Sequence, residues 1–166
     1  MPARNDALAL TGIAALVAGF DQLTKIALVS LVVPRRGTFR LDLVGDLVAV
    51  EYAENRGAAF GLFAGLAPVL ALASIAVLVA LLLYYAREPM PPLWQTIAVG
   101  SITGGAIGNL VDRVRLGYVV DFISVGPWPN FNVADAAITI GVAVWLYGWL
   151  RSEAKWGATR IIDQES

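Results

Sequence analysis

The sequence predicts a mainly α integral membrane protein, a bundle of four transmembrane helices with a small β cradle, and three observations lead there. First, 58% of the 166 residues are hydrophobic and 15% are charged, against about 45–50% and about 25% in an ordinary soluble domain. The mean hydropathy is +0.69. Second, four apolar runs reach or approach the length that crosses a hydrocarbon core. Third, strand-like alternation around residues 41–52 lies in the connection between the first two runs, where a small sheet could rest on a bilayer.

Residues 8–33, 66–86, 93–110 and 134–150 are the expected spans of a single membrane domain covering 1–166, with connections at 34–65 and 111–133. The first run is interrupted by Asp21 and Lys25. A signal peptide cut near Ala18-Gly19 is its competing reading, but apolar residues resume from Ile26 to Val33 and favour a retained helix. The second run is free of charge, and its 21 residues rise about 31 Å as a helix. The third follows the Pro89-Met90-Pro91-Pro92 break. It carries Gly100, Gly104, Gly105 and Gly108, a small-residue spacing expected where helices pack closely in lipid. The fourth ends in Trp145, Tyr147, Trp149 and Arg151, an aromatic belt followed by a snorkelling cation.

Four crossings place both termini on one membrane face and bring the two connections together on the other, where they can build one site. Five cations lie on the terminal side and six on the loop side, so the positive-inside rule does not choose the orientation.

Composition narrows the chemistry. The chain has no Cys and no His, which excludes thiol nucleophiles, a Ser-His-Asp arrangement and an HExxH zinc site. A net charge of −1 and a pI near 5.3 provide no basic patch for nucleic acid. An enzyme of this composition must run its proton chemistry on carboxylates.

Several polar residues stand where lipid disfavours them. Asp21 and Lys25 are four apart on one helical turn, either a self-neutralising pair that tolerates burial or a turn from which Asp21 faces the bundle interior and braces a site. Glu54-Asn55-Arg56-Gly57-Ala58-Ala59-Phe60-Gly61 reads as a turn or as a backbone-approach site. Asn109 and Arg113 share one helix face at the membrane boundary, and the competing reading leaves Asp112 and Arg113 as solvated charges at a helix end. Asp121 alone interrupts the strand-like Tyr118–Ile123 segment, and Asn132 precedes Asp135 with the spacing of an N-cap and an acidic first turn. A cap leaves Asp121 unexplained. If the link between them folds back, Asp121 and Asp135 meet at the mouth of the bundle, and two close carboxyls that share one proton can activate water and polarise a carbonyl.

In order along the chain, Asp21-Gln22-Leu23-Thr24-Lys25, Asn55-Arg56-Gly57-Ala58-Ala59-Phe60-Gly61, Gly104-Gly105-Ala106-Ile107-Gly108-Asn109-Leu110-Val111-Asp112-Arg113, Val119-Val120-Asp121-Phe122 and Phe131-Asn132-Val133-Ala134-Asp135 resemble the signature blocks of the bacterial lipoprotein signal peptidases, type II. The resemblance implies an aspartic endopeptidase of the bacterial inner membrane, with both termini cytoplasmic and the cradle and active site extracytoplasmic. It implies Asp121 and Asp135 as the catalytic pair, with Asp21, Asn55, Asn109, Arg113 and Asn132 supporting the site or holding substrate. The implied substrate is a diacylglyceryl-modified prolipoprotein cut just before its lipidated Cys, with no cofactor. The enzyme is expected to act as a monomer in the lipid bilayer. In this chain the link between Asp121 and Asn132 is shorter than in many members and carries Pro127 and Pro129.

Two other functions compete. A proton-coupled small carrier is suggested by Asp21 within a span, but the chain shows none of the repeats that such carriers carry. A scaffold subunit would give the five polar blocks no shared role.

Overall fold

A computed structural model describes residues 2–32, 39–57, 67–88 and 91–164. Arg35, Arg36, the Ala58-Ala59-Phe60-Gly61 half of the glycine-rich block and the Pro89-Met90 pair lie outside them. The chain is mainly helical with a small antiparallel sheet. Its elements run α1 (Arg4–Val32), β1 (Arg40–Val44), β2 (Val48–Asn55), α2 (Ala67–Arg87), α3 (Leu93–Leu116), β3 (Val119–Val125), β4 (Trp128–Phe131) and α4 (Val133–Gln164).

The elements depart from the sequence expectation in three main places, one of which is α4, running on to Gln164 where its span was expected to end at 150. The connection expected at 111–133 begins instead with the last turns of α3. That helix continues because Asp112 turns inward to a buried partner, and it stops where Gly117 adopts φ 78 and donates its N–H to the Arg113 carbonyl at 3.1 Å. The expected Gly126–Pro129 turn shrinks to Gly126-Pro127, and Trp128 and Pro129 enter β4. Pro129 is tolerated there because β4 is an edge strand, where a missing N–H breaks no central ladder.

The two connections form one sheet, ordered β1-β2-β3-β4 and antiparallel throughout. Of its two inner strands, β3 is buried on both faces from Val119 to Phe122. Val120 and Phe122 pack on Leu28, which seats the sheet on the end of α1. The β2–β3 register sets Asn55 opposite Val119 and Ala53 opposite Asp121, so Asn55 and Asp121 share a face two residues apart.

α3 packs against α1, α4 and α2. Close approach is built from glycine. A Cβ on Gly104 would lie 2.6 Å from the Ala14 carbonyl of α1, and one on Gly105 would lie 2.5 Å from the Ala134 carbonyl of α4. Polarity is inverted relative to a soluble protein. Leu16, Leu23, Leu72 and Ile140 face outward, while Asp21, Lys25, Asn109 and Asp112 are buried. Among the described residues, Arg4–Leu31 and Val133–Ser152 are long and apolar enough to cross a membrane, and Ala71–Arg87 is apolar but shorter. α3 directs Gln95, Thr96, Thr103, Asn109 and Asp112 inward, which lowers its average hydropathy without exposing polar atoms.

Replacing Gly104 or Gly105 by Ala is expected to cost about 1–3 kcal/mol through forced separation of backbones. Gly12→Ala, where a Cβ meets nothing within 4 Å, is expected to be neutral or stabilising through helix propensity. Thermal melts in detergent compare them; equal effects at the two kinds of position would remove the close-packing account.

Candidate active site

The site is organised by the first turn of α4. Asn132 Oδ1 accepts from the Asp135 N–H at 2.9 Å, while the Asn132 N–H donates back to Asp135 Oδ2 at 3.2 Å, a reciprocal capping box. Asp21 of α1 accepts from the Ala134 N–H at 3.0 Å, so another free donor of that turn is satisfied from a neighbouring helix. With its oxygen committed to the cap, Asn132 turns its amide nitrogen to Asp121 Oδ1 at 2.7 Å, with longer contacts to Asn109 Oδ1 and the Val120 carbonyl. The N-cap and the link to Asp121 are therefore the same side chain, and the two sequence readings of Asn132 do not exclude each other.

Each acidic group has a second donor. Asp121 Oδ2 accepts from Asn55 Nδ2 at 2.9 Å, and Asp135 Oδ1 from Asn109 Nδ2 at 2.7 Å. Asp121 and Asp135 both line one cavity of about 940 Å³ between the sheet and α4. Asn55 and Arg113 also line it, and Arg113 Nη1 reaches the Asn109 carbonyl at 3.4 Å. Trp128, Phe131, Ile138 and Ile140 make its apolar wall. At the rim, Arg56 pairs with Glu54 at 2.8 Å and lies 5.4 Å from the Tyr118 ring centroid. Burial, and then the charge of Asp135, push the Asp121 carboxyl up from 3.8 to about 6, against the opposing hydrogen bonds from Asn55 and Asn132 and the charge of Lys25.

Behind the cavity lies a buried ionic layer. Lys25 Nζ is 2.8 Å from Asp21 Oδ2 and 2.8 Å from Asp112 Oδ2, and it donates to Asn109 Oδ1 at 3.2 Å. Gln22 Nε2 donates to Asp112 Oδ1 at 2.9 Å, and Asp112 Oδ2 accepts from the Val120 N–H at 3.1 Å. Gly108 makes room for this layer, since a Cβ there would lie 2.6 Å from Asp21 Oδ2.

The model of the family described as signal peptidase (SPase) II matches residues 13–151, most of the chain. This chain belongs to the signal peptidase II family. It is 41% identical to the lipoprotein signal peptidase of Parasynechococcus marenigrum over 139 residues, 82% of this chain and 86% of that one. It is 39% identical to that of Syntrophomonas wolfei over 126 residues, 76% of this chain and 82% of the relative. A solved bacterial membrane enzyme, determined by the in meso method at 2.3 Å resolution, superposes with a TM-score of 0.76 and 30% identity, covering 86% of this chain and 88% of the other. A second, at 1.9 Å, gives 0.71 and 31%, covering 83% and 90%.

In this signal peptidase II, Asp121, Asp135, Asn55 and Arg113 come together on the cavity wall, with Asn109, Asn132 and Asp21 directly behind. Asp112 is 3% exposed, so its reading as a solvated charge is corrected: Lys25 draws it inside. Lys25, Asp112 and Gln22 are supports that sequence reasoning did not place at the site. The signal was present, because a buried Asp21–Lys25 pair with one further carboxylate at a helix end invites a three-charge cluster.

Lys25→Met leaves two buried carboxylates facing each other and is expected to cost about 3–5 kcal/mol, read as a lowered melting temperature in detergent. A loss under about 1 kcal/mol would show the ammonium to be dispensable. A second expectation concerns pH. The folded chain holds the Asp121 proton to about pH 6, whereas the unfolded chain releases it near 3.8. The native state thus binds more protons across that interval, and stability falls as pH rises through it, by up to about 3 kcal/mol from this group. Relative to the wild type, Asp121→Asn should gain melting temperature between pH 4 and 7; a difference that stays constant with pH would contradict the raised carboxyl.

Proposed function

We propose that Asp121 and Asp135 are the catalytic dyad of a membrane aspartic endopeptidase. The observation that carries this reading is Asn132, which hydrogen-bonds both carboxylates where they line one cavity. As a signal peptidase II, the enzyme removes signal peptides from prolipoproteins. With one proton shared between the two acids, the ionised carboxylate takes a proton from water. The protonated one donates to the scissile carbonyl oxygen as the hydroxyl attacks. Collapse of the tetrahedral intermediate then returns a proton to the leaving amine, and neither His nor Cys is required. The amide donors of Asn55, Asn109 and Asn132 hold carboxylate oxygens from the protein side. Arg113 on the cavity wall holds the substrate.

The substrate in this reading is a diacylglyceryl-modified precursor, cut just before its lipidated Cys. Support comes from the wall formed by Ile138 and Ile140, which continues onto the outward apolar face of α4, where acyl chains would lie. The same reading gives four crossings by α1–α4 in the bacterial inner membrane, both termini cytoplasmic and the cavity extracytoplasmic, for a monomer in the bilayer. Both sheet-forming connections gather at one end of the bundle, as an even number of crossings requires. The carrier reading loses its motive, because Asp21 is ion-paired with Lys25 and committed to the first turn of α4.

Asp121→Asn and Asp135→Asn should each lower cleavage of a lipidated precursor by at least about a thousandfold while the protein still inserts and melts cooperatively. Full turnover by either would end the dyad assignment. Arg113→Ala should raise KM more than it lowers kcat. With matched lipidated and unlipidated precursors, cleavage is expected only of the lipidated form.

A further inference from the structure

A second cavity, of about 540 Å³, opens between the first turn of α3 and the last apolar turns of α4, and no step of peptide cleavage uses it. Gly148 lies thirteen positions after Asp135 in α4, so the cavity lies about 20 Å along the helix from the dyad. Ala143, Val144 and Tyr147 of α4 face Trp94 of α3 across it. Gly148 gives the indole its seat: a Cβ there would come within 2.5 Å of the Trp94 ring.

The mouth is cationic. Arg151 lies with its guanidinium 5.6 Å from the Tyr147 ring centroid. Among the described side chains, no carboxylate lies within ion-pair distance of Arg151. Arg151 follows the apolar run that closes at Leu150, and Glu153 and Lys155 come next in the sequence, which sets the mouth at headgroup level. The uncapped first turn of α3 opens beside it and adds partial positive charge.

We infer that this cavity holds one anionic glycerophospholipid, its phosphate on Arg151 and an acyl chain along Ala143, Val144 and Trp94. A zwitterionic lipid fits less well, because among the described residues no carboxylate lines the cavity to receive its ammonium, and Arg151 repels that ammonium from the mouth. This inference rests on α4 crossing the bilayer but not on the dyad.

The test is native mass spectrometry of the full chain, purified in mild detergent and exchanged against equimolar phosphatidylglycerol and phosphatidylcholine. One retained phosphatidylglycerol is expected. Arg151→Gln should lower its retention about fivefold, the weight of one interfacial cation against an anionic lipid. Ala143→Phe, which fills the groove at an outward position, should lower it further, while Arg113→Ala, at the dyad cavity, should leave it unchanged. Equal retention of the two lipids, or full retention by Arg151→Gln, overturns the inference. So does loss in Arg113→Ala, which would move the lipid to the dyad cavity. Displacement by millimolar inorganic phosphate would also overturn it, by reducing the site to a phosphate site. A chain that stays soluble without detergent would instead overturn the membrane reading itself.

Discussion

Lys25 sits in the interior of the bundle, 2.8 Å from each of two carboxylates, and much of the order around the cavity follows from that contact. An ammonium or a carboxylate taken singly into apolar surroundings is heavily penalised, so each member is retained only because the others are present. The cluster then commits its remaining atoms. Asp21 satisfies the start of α4, Asp112 receives the Val120 N–H of β3, and Lys25 occupies the Asn109 oxygen so that its amide nitrogen faces Asp135. Four elements are fixed by one positive charge.

The environment of the two cavity carboxylates differs from that of Asp21 and Asp112. Here the nearest donors are the neutral amides of Asn55, Asn109 and Asn132, together with one backbone N–H. Amides orient an acid without cancelling its charge, whereas an ion pair would hold it ionised. Burial consequently wins at Asp121, which keeps its proton to about 6. The protein places full countercharge on the acids that fix its architecture and only dipoles on those at the cavity.

Much of this was legible in the sequence because lipid is an unforgiving solvent. An Asp or Lys within an apolar run must have a partner, and that rule alone marked Asp21 and Lys25. The Asn132-to-Asp135 spacing announced a cap, and alternation around 41–52 announced strands. Three-dimensional partnerships were less visible. Asp112 and Arg113 are adjacent in sequence, yet one points to Lys25 and the other to the cavity, and a one-residue step on a helix reverses such assignments. The extent of α3 was hidden for the same reason, because inward polar residues resemble the approach of a loop when hydropathy is read along the chain. Pro129 in β4 depended on that strand lying at the sheet edge, which is a property of topology.

β4 ends at Phe131 and α4 begins at Val133, so sheet and bundle are joined at that corner by Asn132 alone. A junction of one residue leaves no slack. The same side chain caps α4 and holds Asp121, so the distance between the two acids is set by a covalent corner rather than by packing alone. A longer link there would let the strand and the helix drift apart, and the acids with them.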